Sequence, residues 1–192
     1  MQREYKVISG GQVGVDEGAL RGAVAAGIAT AGYMPKGFKR AGAPDPEFAA
    51  KYNLCETSYG KGGDADRDRQ NVDNSDLLVA FLLDKPMTGR GTRQTMMYAY
   101  AGKSQSGVCV GPVLDHFDKP TLVRGVANTD IFVVWDLDEE NWEAAADALR
   151  KVIREDAAIY TNIMFSGPME RTSPGITSLT ERLVAKAFSR SD

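Results

Sequence analysis

Tyr5-Lys6-Val7-Ile8-Ser9-Gly10-Gly11-Gln12-Val13-Gly14-Val15-Asp16 is the stretch that decides the fold. Its first half is rich in β-formers and runs straight into paired glycines, the pattern of a strand ending in a tight turn. Asp16, read as a helix cap, precedes Glu17 to Ala26, where Leu20, Ala23 and Val24 are expected to share one apolar face. Gly27 suits the position just past the helix end. Ile28 to Tyr33 then reads as a second strand, so the first 33 residues spell a βαβ unit.

Outward from that unit, Met34 to Asn53 is rich in Pro, Gly and Lys and predicts a long loop with a helical turn around Phe48–Lys51. Loops of such length in a compact domain usually serve a function. Gly60 to Asp66 is a second irregular stretch, followed by a short helix from about Arg67 that carries Arg67, Arg69 and Asn71. The continuous apolar run Leu77 to Leu83 predicts a central parallel strand covered on both faces. A glycine loop, Asp84 to Gly91, leads to Thr92 as the cap of a helix over Arg93–Ala101. Lys103 to His116 has no clear place and reads as an excursion. Thr121–Val126 and Ile131–Trp135 are strand candidates, and Asn162–Gly167 is another strand running into glycine. Asn141–Arg154 is an amphipathic helix with Trp142, Ala145, Leu149, Val152 and Ile153 on or near its apolar face. Ile176–Phe188 closes the chain as a helix with Ile176, Leu179, Leu183 and Phe188 turned inward. Alternating strands and helices imply an α/β fold: a Rossmann-like three-layer sandwich with a mainly parallel sheet and right-handed crossovers, expected as one domain over residues 1–192.

With 192 residues the chain can bury roughly 70% of its unfolded surface, so it needs no staple. Its 23 basic and 26 acidic side chains give a net charge of -3, which argues against broad nucleic-acid binding but leaves room for a local basic pocket. His116 is the sole histidine, and Cys55 and Cys109 stand far apart, so no zinc site and no structural metal are expected. Met1 to Ser9 lacks a secretion-signal core, and no run approaches the ~18 apolar residues of a membrane helix. The expected compartment is the cytoplasm, with no membrane or nucleic-acid partner.

Three strands run into glycine: Ser9-Gly10-Gly11, the loop around Gly89-Arg90-Gly91-Thr92, and Ser166-Gly167. In an open parallel sheet, ligands sit beyond the carboxyl ends of the strands. Two of these loops lead into helix starts, whose free N–H groups and positive dipole end suit a phosphate-bearing ligand. Neither loop is G-x-G-x-x-G and no Walker A string occurs, which argues against ordinary NAD or magnesium–ATP. The candidate ligand residues are Ser9, Gly10, Gly11, Gln12, Gly14 and Asp16 in the first loop, and Gly89, Arg90, Gly91 and Thr92 in the second. Arg67 and Asn71, one helical turn apart, could clamp an anion or a purine edge, or else belong to a solvated face with ion pairs. Lys36 could reach the same edge or be an ordinary exposed loop lysine. Asp136, Asp138, Glu139 and Glu140 read as capping and dipole charges of the 141–154 helix.

Ile8-Ser9-Gly10-Gly11-Gln12-Val13-Gly14-Val15-Asp16, Pro35-Lys36-Gly37, Glu56-Thr57, Asn71-Val72 with Ser75-Asp76, Thr88-Gly89-Arg90-Gly91-Thr92, and Gly167-Pro168 with Ser173-Pro174-Gly175-Ile176 follow one another in an order that resembles the molybdenum cofactor carrier proteins. That family is a circularly permuted branch of the SLOG superfamily, which includes YpsA-like proteins and lysine-decarboxylase-like phosphoribohydrolases. The resemblance covers nearly the whole chain. It implies a Rossmann-like fold, homo-oligomers with a tetramer among the sizes allowed, and binding of the molybdenum cofactor (molybdopterin) without turnover. The implied ligand is a small anion: a pterin with a phosphate and an oxyanionic metal centre. The carry-over rests on Gly10, Gly11, Gln12, Gly14 and Asp16, and on Gly89, Gly91 and Thr92. The chain departs from the family in three places. Val13 stands where threonine is common, Arg90 lengthens the second loop, and extra residues follow Gly102 to about Asn128.

Two other functions compete with the carrier. One is a sensor of a nucleotide derivative. The other is a nucleoside-monophosphate phosphoribohydrolase, which in the related group uses a PGGxGTxxE loop. Aligned on Gly91-Thr92, this chain has Thr95 where that glutamate would stand, and a threonine can serve neither as base nor as carboxylate.

Overall fold

The computed structural model describes residues 4–83, 90–102, 120–126, 129–156 and 159–189, and only the backbone of Arg90. The elements follow in the order β1 (Lys6–Ile8), α1 (Val15–Ala25), β2 (Ala29–Met34), β3 (Lys39–Arg40), β4 (Ala43–Pro44), α2 (Pro46–Lys51), β5 (Leu54–Glu56), α3 (Asp64–Asp73), β6 (Leu77–Leu82), α4 (Arg90–Ala101), β7 (Thr121–Val123), β8 (Asp130–Trp135), α5 (Trp142–Glu155), β9 (Asn162–Ser166) and α6 (Ile176–Phe188).

Seven strands form one sheet in the order β5-β2-β1-β9-β6-β8-β7, while β3 and β4 make a separate hairpin. All neighbours in the large sheet are parallel except β7, which runs antiparallel to β8. This is the three-layer α/β sandwich with a mainly parallel sheet that the sequence predicts. Every residue of β6 is buried, as a strand covered on both faces must be. Leu77, Val79 and Phe81 join the core under α1, α5 and α6. Leu78, Ala80 and Leu82 join the core under α3 and α4. Burial of each such side chain contributes about 1.5–3 kcal/mol against exposure.

The chain steps outward from β1 to β2 to β5, then crosses back to β6 and β8. The last strand, β9, fills the gap between β1 and β6. Asp76 pins its start: the carboxylate accepts from Thr161 N at 3.0 Å, Thr161 Oγ1 at 2.9 Å and Asn162 N at 2.8 Å. The carboxyl ends of β1, β9 and β6 therefore open on one edge, at the point where the strand order reverses. Open α/β sheets bind ligands there.

Four details differ from the sequence reading. Lys39–Pro44 forms a hairpin within the expected loop and Leu54–Glu56, just past it, is a strand; both are too short to show a period. α3 starts at Asp64, because Asp66 turns back to accept from Lys61 N, Gly62 N and Gly63 N and so anchors the helix start. α4 starts at Arg90, so Thr92 lies inside its first turn and does not cap it. Val24 is 54% exposed and leaves the apolar face of α1. The buried side of α1 runs instead through Gly18 and Gly22, where α6 comes so close that an added methyl would lie 2.8 Å from Thr180 Cβ and 2.7 Å from Val184 Cβ. The glycine loop Asp84 to Gly89 and the excursion Lys103 to His116 lie outside the described residues.

The α1–α6 contact gives a clean expectation. Gly22→Leu should lower unfolding stability by at least about 2 kcal/mol, because backbone and not a movable side chain blocks the added atoms. Val24→Thr on the exposed face should stay within about 0.5 kcal/mol. Urea titrations of the two variants check both.

Candidate functional site

The glycine loop after β1 is held from inside. Ser9 Oγ accepts from Gly11 N at 3.2 Å and donates to the Asp16 carbonyl at 3.1 Å. Gln12 N donates to Asp16 Oδ2 at 3.1 Å. Gln12 Oε1 accepts from Val13 N at 3.2 Å and from Ala41 N of the hairpin at 3.0 Å. Val15 N donates to the Pro168 carbonyl at 3.2 Å. The N–H groups of Gly11 and Gln12, both expected to meet a ligand, are thus already engaged. Gly14, at φ 118°, takes the N-cap position of α1 and packs on the Pro168–Glu170 backbone, joining the loops after β1 and β9. Asp16 is the second residue of α1, so its expected role as cap is corrected: its carboxylate points across the loop instead of back onto its own helix.

What it meets is Arg67, from the first turns of α3. Arg67 Nη1 donates to Asp16 Oδ2 at 2.8 Å, and both residues are 8% exposed. Arg67 Nε lies 2.8 Å from Asp68 Oδ1 as an ion pair, out of line for a hydrogen bond. The guanidinium rests on Gly10, where a side chain would overlap it. That contact explains a glycine at position 10 by close approach. Burial works against the Arg67 charge, but Asp68, Asp16 and Asp64 outweigh it and raise the guanidinium above the ordinary arginine value. Asp68 feels the converse. Burial pushes its carboxyl up to about 6, and Asp16 and Asp64 add to the rise. Arg67 and the Thr95 hydroxyl, 3.4 Å away, oppose it.

Around this pair lies a cleft of about 510 Å³. Phe81, Leu82, Ser166 and Gly167 supply the sheet edge, and Val13 and Pro168 close one side. Asp64, Arg67 and Asp68 of α3 and Gly91 and Thr92 of α4 complete the lining. The amino ends of the helices are not equivalent. Glu170 closes α6 by accepting from Gly175 N at 2.5 Å and Thr177 N at 2.9 Å. Asp66 of α3 accepts from Gly63 N at the N-cap, and the Pro168 and Gln12 carbonyls accept from Val15 N and Glu17 N of α1. At α4 no cap occurs among the described residues, and Gly91 and Thr92, in its first turn, border the cleft. First-turn N–H groups have no partner inside a helix and attract anions.

Of the residues expected at the site, Gln12, Asp16, Arg67, Gly91 and Thr92 line the cleft. Ser9, Gly10, Gly11 and Gly14 shape it from behind. At Gly11, an added Cβ would meet Leu54 at 3.0 Å and Met34 at 3.2 Å, in the core under α2 and away from the cleft. Asn71 is fully buried and spans the Tyr33 backbone, accepting from Tyr33 N at 2.8 Å and donating to its carbonyl at 3.0 Å. It ties α3 to β2 and offers nothing to a ligand. Lys36 is exposed, lies outside the cleft lining and lays its stem against Gly62, so the reach expected of it is corrected. Gly89 lies outside the described residues, as does the side chain of Arg90. Asp64 and Asp68 were not legible as site residues. Their spacing of four in a helix was the available signal, hidden by a polar stretch that reads as loop. Arg40 was missed too. It pairs with Glu17, donates from Nε to the Gly11 carbonyl at 2.8 Å and stacks on Phe48, so the hairpin buttresses the first loop.

Among the described residues no set of three His, Cys, Asp or Glu side chains is arranged to hold a metal ion, and no helix is long and apolar enough to cross a membrane.

The circularly permutated YpsA SLOG family matches residues 7–124, more than half of the chain. The chain belongs to that family. It is also similar to the crystal structure of a candidate molybdenum carrier protein from Syntrophus aciditrophicus SB, with 24% identity, a TM-score of 0.67 and 97% of each chain covered. That likeness is one of fold. No curated protein matches the chain.

The raised Asp68 carboxyl makes a stability prediction. Between about pH 4 and pH 6 the folded protein holds a proton there that the unfolded chain has released, so stability falls as pH rises through that window. Asp68→Asn should therefore stabilise the protein by about 1–3 kcal/mol at pH 7 and by nothing at pH 4. Denaturant titrations of both proteins at the two pH values check it.

Proposed function

We propose that the chain binds the molybdenum cofactor, a pterin carrying a phosphate and an oxyanionic metal centre, and stores or protects it without turnover. The supporting observation is the asymmetry of the cleft. Gly91 and Thr92 bring the first turn of α4 to it, and Asp64 and Asp68 bring carboxylates from α3. A phosphate belongs at that first turn, where N–H groups and the helix dipole favour negative charge. Its size lies within the ~300–1,000 Å³ of small-molecule sites. Asp16 does not suit general base work, because its carboxylate is committed to Arg67 and Gln12 N. A general base needs a free position within about 3 Å of the proton it removes.

Asp68 favours a second reading. Thr95, which occupies the place of the hydrolase glutamate, donates to Asp68 Oδ2, so α3 brings a carboxylate to the region that glutamate would serve. In a phosphoribohydrolase that carboxyl would act on the ribosyl bond.

Anaerobic purification followed by assays for pterin and molybdenum separates the readings. The carrier account expects co-purified pterin with molybdenum. It also expects Gly91→Glu to lose at least about tenfold in binding, since a carboxylate there opposes the ligand's phosphate. The fold of that variant should hold, because a Cβ at Gly91 meets nothing within 4 Å. A bound adenine nucleotide would favour the sensor instead. Release of free base from nucleoside monophosphates, abolished by Asp68→Asn, would make the chain a hydrolase.

A further inference from the structure

Three carboxylates, Asp16, Asp64 and Asp68, and one guanidinium, Arg67, are the charged groups among the described residues that line the cleft. Asp16 is consumed by Arg67 and the loop. That leaves Asp64 and Asp68, on successive turns of α3, facing the space. Such a wall repels a phosphate and calls for a ligand edge made of N–H donors. A single carboxylate offers about four lone-pair sites and accepts two parallel N–H donors at once. Asp68 keeps that capacity: Arg67 Nε touches Oδ1 as an ion pair only, and the hydroxyl on Oδ2 is distant at 3.4 Å.

We propose that Asp68, assisted by Asp64, reads the donor edge of a 2-amino-4-oxopyrimidine ring, its ring N–H and 2-amino group, while the phosphate of the same ligand sits at Gly91 and Thr92. Pterins and guanine share that edge. The inference rests on the binding function proposed above and names the part of the ligand that faces α3. It also accounts for a charge that by itself costs stability. Burial and two neighbouring carboxylates disfavour ionised Asp68, and a pair of N–H donors would offset both. Because the ring needs the ionised acid, binding should weaken by about tenfold per pH unit below the Asp68 carboxyl's value of about 6.

The test uses the full chain and fluorescence titration with two matched pairs. One pair is a pterin with a phosphorylated side chain and the lumazine of the same side chain, in which a carbonyl replaces the 2-amino group. The other pair is guanosine and inosine monophosphate, followed by intrinsic fluorescence. The expected result is at least about a tenfold preference for the amino-bearing member at pH 7.5, shrinking at pH 5. In Asp68→Asn the preference should fall within about twofold while lumazine affinity stays the same, a change in ratio that a merely structural role would not produce. Equal binding of both members of each pair, a preference untouched by Asp68→Asn, or no binding of either pair would overturn the assignment. Preference within the guanine pair without pterin binding would keep the edge assignment and sink the molybdenum cofactor reading. Tight but equal binding of pterin and lumazine would do the reverse.

Discussion

The site depends on one buried guanidinium. Arg67 leaves α3, crosses Gly10 and ends on Asp16 at the start of α1. α3 and α1 pack on opposite faces of the sheet, so this pair is the clasp over the edge between them. A buried charge survives only when it is paired, and removing one partner from such a pair costs about 3–5 kcal/mol. The pair explains why position 10 has no side chain, why Asp16 turns away from capping, and why the first loop cannot relax away from α3.

The clasp also sets the chemistry. By satisfying Arg67, Asp16 removes the strongest cation on the described wall from service to a ligand. Asp68 is left partly compensated, and the carboxylates dominate the α3 side. The glycine loop after β1 is tied internally by Ser9, Gln12 and Asp16, and Gly14 locks it to the loop after β9. The polarity of the cleft then follows from which groups the helix starts bring to it. Glu170 closes α6 and loop carbonyls take up α1, while Gly91 and Thr92 bring the first turn of α4 to the cleft.

Much of the fold was legible because its signals are periodic or continuous. The buried run of β6 and the faces of α5 and α6 extend over enough residues to declare themselves. The three-residue β5 does not, and β7, read as a strand over Thr121–Val126, takes its antiparallel direction from pairing and not from pattern. For the site, the sequence pointed to the correct sheet edge but misjudged the roles. Asn71 and Arg67 share a helix face, yet one binds backbone and the other a carboxylate, a difference that only the position of β2 and α1 decides. Asp68 was invisible because its importance comes from burial and from neighbours 27 and 52 residues away, Thr95 and Asp16. Val24 was misassigned because the tight α6 contact through Gly18 and Gly22 rotates the buried side of α1, and glycines carry no hydrophobic signal.

A double-mutant cycle on Asp16→Asn and Arg67→Gln, followed by chemical denaturation at pH 7, tests the clasp most directly. A coupling energy above about 1.5 kcal/mol is the predicted result, since the two side chains meet at 2.8 Å out of water. Effects that add within about 0.5 kcal/mol would contradict it and leave the cleft without the constraint on which its geometry is argued.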